Sequence, residues 1–387
     1  MITFDDAHEE SPAILPDEVL APAVLKVVGV GGGGCNAINR MIEAGVRGVE
    51  FIAVNTDAQS LNRCLAPTKI QLFTPNSRGR ALGAGGDPKA AKDAALAKTD
   101  ELLDVLTGAD MVFVAAGLGG GTGTGAAPIV GKLAKEVGAL TVAVVTTPFS
   151  FEAEPRMHIA QQGIAELKGS VDTLIVVPNS RLEEMAPPGM GIKEAFLLAD
   201  QALHHGVQGI SEIINEPGII NRDFADVKTV LEGGGMALMG IGVSAGEHRA
   251  LEAAQNAVAS PLLDGVALQG AQRVLVNIIG GPDTTLAEVH EAGRWVRQQC
   301  AENCRYFFGF VEREDFRGQI QVTIIASGFG SNGEQAAGSK SKEATSAKTV
   351  VSPASPFLPT TSDQANFGVQ IRPDDFHIPA VLRQQLD

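Results

Sequence analysis

Residues 110–125 read Asp110-Met-Val-Phe-Val-Ala-Ala-Gly-Leu-Gly-Gly-Gly-Thr-Gly-Thr-Gly125. The apolar run at 111–115 is short and β-branched, as expected of a parallel strand buried on both faces. Seven residues limited to Gly and Thr then follow. Such a stretch lets backbone N–H groups approach a phosphate closely, and the hydroxyls of Thr122 and Thr124 offer further donors. No Lys follows, so this is not GxxxxGK[ST], and that pattern occurs nowhere in the chain.

The stretches on either side carry the same grammar. Residues 25–30 read as a strand that runs into Gly29-Val-Gly-Gly-Gly-Gly-Cys-Asn36 and then a helix through Ala37, Met41 and Ile42. This second cradle also satisfies GxGxxG at Gly29, Gly31 and Gly34, a dinucleotide fingerprint. Further apolar runs at 51–54, 140–145 and 173–177 are separated by helix-length stretches. A doubly wound α/β domain with a parallel sheet is expected over residues 24–191. Two lysine-free cradles on one sheet point to a nucleotide whose phosphates are held mainly by backbone amides.

Residues 192–217 contain one long helix, with Phe196, Leu203, Val207, Ile210 and Ile214 at three- and four-residue steps. A smaller α+β domain is expected over 218–330, with strands at 237–243, 273–279 and 319–327 and helices at 247–257 and 285–302. Cys300 and Cys304 then fall one turn apart on a helix face. Residues 331–370 are rich in Ser, Ala, Thr, Gln and Pro, a composition that predicts a disordered linker. Residues 371–387 are patterned again: Asp374 and Asp375 precede an apolar cluster of Phe376, Ile378, Pro379, Val381 and Leu382, followed by Arg383. That pattern suits a short helix that docks in a partner's groove.

Composition narrows the function. Lys plus Arg number 30 against 45 for Asp plus Glu, a net charge of -15, so general binding to a phosphate backbone is excluded. Residues 1–23 form an acidic leader whose first basic residue is Lys26 beyond it, the reverse of a signal peptide. The four cysteines show no CxxC pair and no zinc spacing to His, which with the leader predicts a cytoplasmic protein without a protein-held metal.

The segment 119–125 resembles the signature of the tubulin/FtsZ GTPase superfamily, and most of 25–329 is similar to its bacterial cell-division branch. Supporting stretches are Phe51-Ile-Ala-Val-Asn-Thr-Asp57 and Asn221-Arg-Asp-Phe-Ala-Asp-Val227. The resemblance implies that GTP or GDP is the bound nucleotide. Gly32, Gly33, Gly34, Cys35, Asn36, Gly121, Thr122 and Gly123 would hold its phosphates, and Ala84, Gly85 and Gly86 would sense the γ-phosphate. Glu152 and Arg156 would flank ribose and phosphate, Asn179 would adjoin them, and Phe196 would pack on the base. Asn221, Asp223 and Asp226 would reach the nucleotide of the next subunit and position the attacking water, with Mg²⁺ held mainly through phosphates and water. Head-to-tail filaments would build a cytokinetic ring, and 374–387 would engage membrane-tethering and regulatory proteins, an actin-like adaptor among them. Direct membrane insertion and nucleic-acid binding are not expected.

Asp200 supports guanine from its own position. It falls where the helical stripe calls for an apolar residue, and an unpaired carboxylate there is costly. Guanine's N1–H and 2-amino group would satisfy it. Taken alone, 221–226 also reads as an N-cap pair for the following helix. Ala81, Asp87, Ser180, Glu154-Pro155 and Cys35 depart from the family pattern. Two other readings are another tubulin-like filament GTPase, such as a plasmid-partition protein, and an NAD-dependent oxidoreductase with Glu50 or Asp57 on the ribose.

Overall fold

Buried β-branched runs divided by Ala- and Gly-rich amphipathic stretches fold as alternating strands and helices. The structure, a computed structural model, describes residues 23–74, 81–187, 189–215, 224–263 and 268–329. In chain order the first half comprises β1 (Leu25–Val30), α1 (Gly31–Glu43), β2 (Val49–Asn55), α2 (Ala58–Arg63), β3 (Thr68–Gln71), α3 (Pro88–Leu96), α4 (Thr99–Leu106), β4 (Met111–Gly117), α5 (Thr122–Glu136), β5 (Leu140–Thr147), α6 (Glu154–Ser170), β6 (Thr173–Pro178) and α7 (Asn179–Met185). The long α8 (Ile192–Asn215) follows. The second half comprises α9 (Phe224–Leu231), β7 (Gly235–Ala245), α10 (Arg249–Val258), β8 (Arg273–Gly280), α11 (Leu286–Gln299), β9 (Arg305–Glu312) and β10 (Gln319–Ser327).

The strands form one sheet in the order β3-β2-β1-β4-β5-β6-β7-β10-β8-β9. From β3 to β7 every pairing is parallel; β10 runs antiparallel to β7 and β8. The doubly wound fold is therefore as expected, and the second block's sheet continues the first through Thr173–Ile175 paired with Gly235–Ala237. Strand order reverses at β1, which lies between β2 and β4. In open α/β sheets the crevice beyond the strands' C-terminal ends at such a switch point is where ligands bind.

Two apolar layers flank the parallel strands. Met41 and Ile38 of α1 and Leu203, Val207 and Ile210 of α8 cover one face; Ala126, Val130 and Leu167 of α5 and α6 cover the other. A third cluster joins α10 and α11 to the antiparallel part. One further strand is present and one local expectation is corrected. The aromatic run of β9 is a strand, and α11 ends at Gln299, so Cys300 is its C-cap and Cys304 lies in the turn before β9. Both thiols are buried, but they do not share a helix face.

Candidate functional site

Every described helix except three carries either a side-chain cap at its N-terminus or an acid in its first turn. The exceptions are α1, α5 and α7. Each begins at or just beyond the C-terminal end of a parallel strand: β1, β4 and β6. A helix start leaves up to four N–H groups without intrahelical partners and a partial positive charge. Three such starts on one sheet edge make an anion site.

The two glycine segments build most of it. The first is not a loop: β1 ends at Val30 and α1 begins at Gly31. Gly31 has φ 73°, and a Cβ there would lie 2.9 Å from the Gly123 amide nitrogen, so the starts of α1 and α5 are in contact. Gly32 borders open space, and the Asn36 side chain is exposed. Gly121 meets the loop at 81–87, where an added Cβ would be 2.8 Å from Ala84 Cβ. That loop is tied to the end of β2: Gly83 N–H donates to Thr56 O at 3.2 Å, and Asp57 pairs with Leu82. Asp87 then caps α3 by accepting from Lys89 N–H at 2.9 Å, which an Asp does as well as the Asn usual there. Gly85 and Gly86 are exposed on this loop.

Both threonine hydroxyls also have partners within the protein. Thr124 Oγ1 accepts from Gly119 N–H at 2.9 Å and is buried, so it shapes the turn. Thr122 Oγ1 lies 2.6 Å from Thr56 Oγ1, locking α5 to β2. Cys35 likewise points into the core: it is 2% exposed and accepts from Asn55 Nδ2 at 3.7 Å. Contact with the Cys64 thiol and burial push its pKa up, so it is a neutral thiol and only its backbone faces the cleft.

The segment after β5 closes the other side. Glu152 accepts from Phe149 N–H at 3.0 Å and pairs with Arg156, the i,i+4 ion pair that its spacing allows. Arg156 Nε also donates to Gly119 O at 3.4 Å, so the same pair braces the second glycine segment. The buried Phe149 ring stacks on Phe151 and meets Phe196 edge-on, each at 5.2 Å. Phe151 and Phe196 are exposed, an uncovered aromatic corner on the rim. Asn179, first residue of α7, is 4% exposed, and its Oδ1 has no hydrogen-bond partner among the described residues.

Asp200 lies one helical turn from Phe196 on α8. Its carboxylate is half-buried and forms no hydrogen bond or ion pair among the described residues; burial pushes its pKa up to about 7, against a weaker opposing effect of Arg40. Arg40 pairs with Glu43 instead. Asp226 stands in the first turn of α9, whereas Asn221 and Asp223 lie outside the described residues. α8 ends at the opposite sheet edge, where Asn215 Nδ2 donates to Gly48 O, just before β2, at 3.0 Å. The end of α9 is tied there too, since Leu231 O accepts from the hydroxyl of Thr173, first residue of β6.

Thr56 and Glu183 also touch these segments: Thr56 Oγ1 meets Thr122 Oγ1, and Glu183 accepts from Ser150 N–H at 2.9 Å. Their contacts are long-range; Thr56 falls within the stretch 51–57 without a role of its own there, and Glu183 belongs to no motif that would have marked it. The residues proposed for an NAD ribose are occupied: Asp57 caps α2 and Glu50 pairs with Lys26 at 3.4 Å. Among the described residues no group of three or more His, Cys, Asp or Glu could hold a metal, and no helix is long and apolar enough to cross a membrane.

Residues 24–187 match the Tubulin/FtsZ family, GTPase domain, and residues 235–330 match the FtsZ family, C-terminal domain. Among solved structures, the chain is similar to an empty FtsZ dimer from M. jannaschii, at 43% identity and TM-score 0.75, over 79% of this chain and 88% of that one. It is also similar to a tryptophan-to-tyrosine mutant of M. jannaschii FtsZ, at 43% identity and TM-score 0.76, over 80% and 92%. CetZ2 from Haloferax volcanii, solved as a GTPγS-bound protofilament, shares the fold at 21% identity and TM-score 0.65, over 81% and 97%.

Proposed function

This chain belongs to the tubulin/FtsZ family of GTPases, and from that we propose that it hydrolyses GTP between subunits of a head-to-tail filament that builds a cell-division ring. The observation that carries the nucleotide site is the contact between two uncapped, acid-free helix starts, those of α1 and α5, on the sheet edge that also bears the uncapped start of α7, together with an unbonded, half-buried carboxylate on α8. Backbone amides of Gly32, Gly33, Gly34, Cys35 and Asn36 and of Gly121, Thr122 and Gly123 take the phosphates. Ala84, Gly85 and Gly86 close over the γ-phosphate. Glu152, Arg156 and Asn179 face the ribose and its neighbouring phosphate, Phe196 packs on the base, and Asp200 accepts guanine's two N–H donors.

Within one chain, Asp226 stands on a different element from this site. From Asp200 to Asn215 the helix runs fifteen residues, about 22 Å at 1.5 Å each, and α9 is anchored beyond it at the opposite sheet edge. On this reading Asp226, with Asn221 and Asp223, serves the nucleotide of another copy. A patch at one end that meets a different patch at the other gives an open filament. Phosphoryl transfer depends chiefly on positioning and electrostatics, so aimed carboxylates that orient a water suffice. The described side chains offer Mg²⁺ no cage of their own, so phosphate oxygens and water would hold it, and it would neutralise phosphate charge.

The protein is proposed to act in the cytoplasm at the inner face of the cell membrane, with 374–387 docking onto tethering and regulatory proteins. The test is light scattering after addition of GTP, with ATP and GDP as controls. Assembly and phosphate release with GTP alone are expected. Equal responses to ATP would refute the guanine assignment.

A further inference from the structure

We infer that Glu183 is a positioning residue of the nucleotide cleft: it holds a strained turn at Ala153 so that Phe151 and Glu152 face the bound base and ribose. The inference rests on the reading of this cleft as a guanine-nucleotide site.

Ala153 is the single non-glycine residue with positive φ among the described residues, at φ 75° and ψ 151°. That region is essentially reserved for glycine, and a side chain persists there only when its surroundings over-determine it. The ties around the turn can be read off. On its C-terminal side, Pro155 fixes the start of α6, Arg156 N–H donates to Ala153 O at 3.2 Å, and Arg156 reaches Gly119 O. On its N-terminal side, the polar tie to another element comes from α7. Ser150 N–H donates to Glu183 Oε1 at 2.9 Å, and Ser150 Oγ donates to Glu183 Oε2 at 2.7 Å. Both carboxylate oxygens thus grip one residue, directly before Phe151, Glu152 and Ala153.

Glu183 lies one helical turn after Asn179 on the same face of α7, so the element that grips the turn also carries the buried amide of the cleft. Without the carboxylate, Ala153 is free to relax to an ordinary backbone conformation. Phe151 and Glu152, its two predecessors, would swing with it and lose their aim at the base and ribose. A glycine at position 153 takes the same conformation without strain. The clamp then has little left to hold.

The test is a double-mutant cycle on the full chain, read by calorimetric titration of GDP and by the melting temperature without nucleotide. Glu183→Ala is expected to weaken GDP binding about fivefold to tenfold, the scale of two exposed charge-assisted hydrogen bonds and the strain they restrain. Glu183→Gln, which keeps one acceptor oxygen, should fall between that variant and wild type. In the Ala153→Gly background, Glu183→Ala should change the GDP affinity by less than about twofold. Rescue by Ala153→Gly is the outcome that a merely stabilising role for Glu183 would not produce. Wild-type affinity in Glu183→Ala, or an equal loss in both backgrounds, overturns the inference. Failure of the wild-type protein to bind GDP at all overturns the reading of the cleft itself.

Discussion

Replacing Asp200 by Asn separates the cost of that carboxylate in the empty protein from its use with nucleotide. In the empty cleft the group has no hydrogen bond among the described residues, and its pKa stands near 7 instead of 3.8 because of burial. A folded-state value raised above the unfolded one means stability that is full below about pH 4 and lost as pH rises through 7. At about 1.4 kcal/mol per unit the shift would amount to roughly 4 kcal/mol, and partial exposure reduces that to about 1–2 kcal/mol. Nucleotide-free Asp200→Asn should therefore melt several degrees above wild type at pH 8, and the gap should narrow as pH falls toward 5.5. Nucleotide binding should move the other way. The variant loses a charge-assisted pair to guanine, about 1.5–3 kcal/mol, or roughly 10- to 100-fold in GDP affinity. Its amide can instead accept from N1–H of xanthine and donate to the 2-oxo group, so xanthosine diphosphate should become the better ligand. In wild type, GDP affinity should fall about tenfold from pH 8 to pH 6 as Asp200 takes up a proton. The variant should show only the titration of the phosphate, which is common to both proteins. Calorimetry with both nucleotides at the two pH values measures all of this. Unchanged GDP affinity and preference in the folded variant would remove Asp200 from the base site.

Other consequences are as concrete. Thr124→Val leaves the buried Gly119 N–H without its acceptor, which should cost about 1–3 kcal/mol in thermal unfolding and weaken GDP binding in the same titration. Gly31→Ala puts a Cβ 2.9 Å from Gly123 N at a left-handed φ of 73°, so nucleotide binding should be lost; normal binding would show that the two helix starts do not need their close approach. Deleting 374–387 should leave GTP hydrolysis and assembly intact while abolishing co-sedimentation with tether-coated vesicles. Retained co-sedimentation, or loss of hydrolysis, would show that the segment is not an independent docking peptide.

The parts of the site that are legible in the sequence are those that local chemistry enforces. Runs of Gly after buried strands have few uses other than close backbone approach, so both cradles and the doubly wound sheet can be read from the residues alone. Asp200 is visible because a carboxylate breaks an apolar helical stripe. What cannot be read depends on contacts between distant segments. Nothing in 179–185 marks Glu183 as the partner of Ser150, and nothing in Thr56 announces its pairing with Thr122. The threonines of the second cradle have partners that composition does not reveal, for the same reason: Thr124 Oγ1 accepts from Gly119 N–H, and Thr122 Oγ1 meets Thr56 Oγ1. β9 is different, since its aromatic run carries a strand signal that the neighbouring helix obscures. The pairing of Cys300 with Cys304 on one helix face fails because the helical pattern of α11 stops at its cap.

Hydrolysis of each GTP with acids from a second subunit can be tested by mixing two inactive variants. Asp200→Asn should load GTP about 10- to 100-fold more weakly, so that at limiting nucleotide it stays mostly empty while it keeps Asp226, whereas Asp226→Ala loads GTP but lacks that acid. Each alone should turn over GTP far more slowly than wild type. Mixed in equal amounts, they can form junctions in which GTP on the second meets the intact loop of the first. Phosphate release by the mixture should clearly exceed the sum of the separate rates and rise with total protein concentration. A mixture that shows only the sum of the two rates at every concentration, with both variants folded and Asp226→Ala shown to bind GTP, would contradict it.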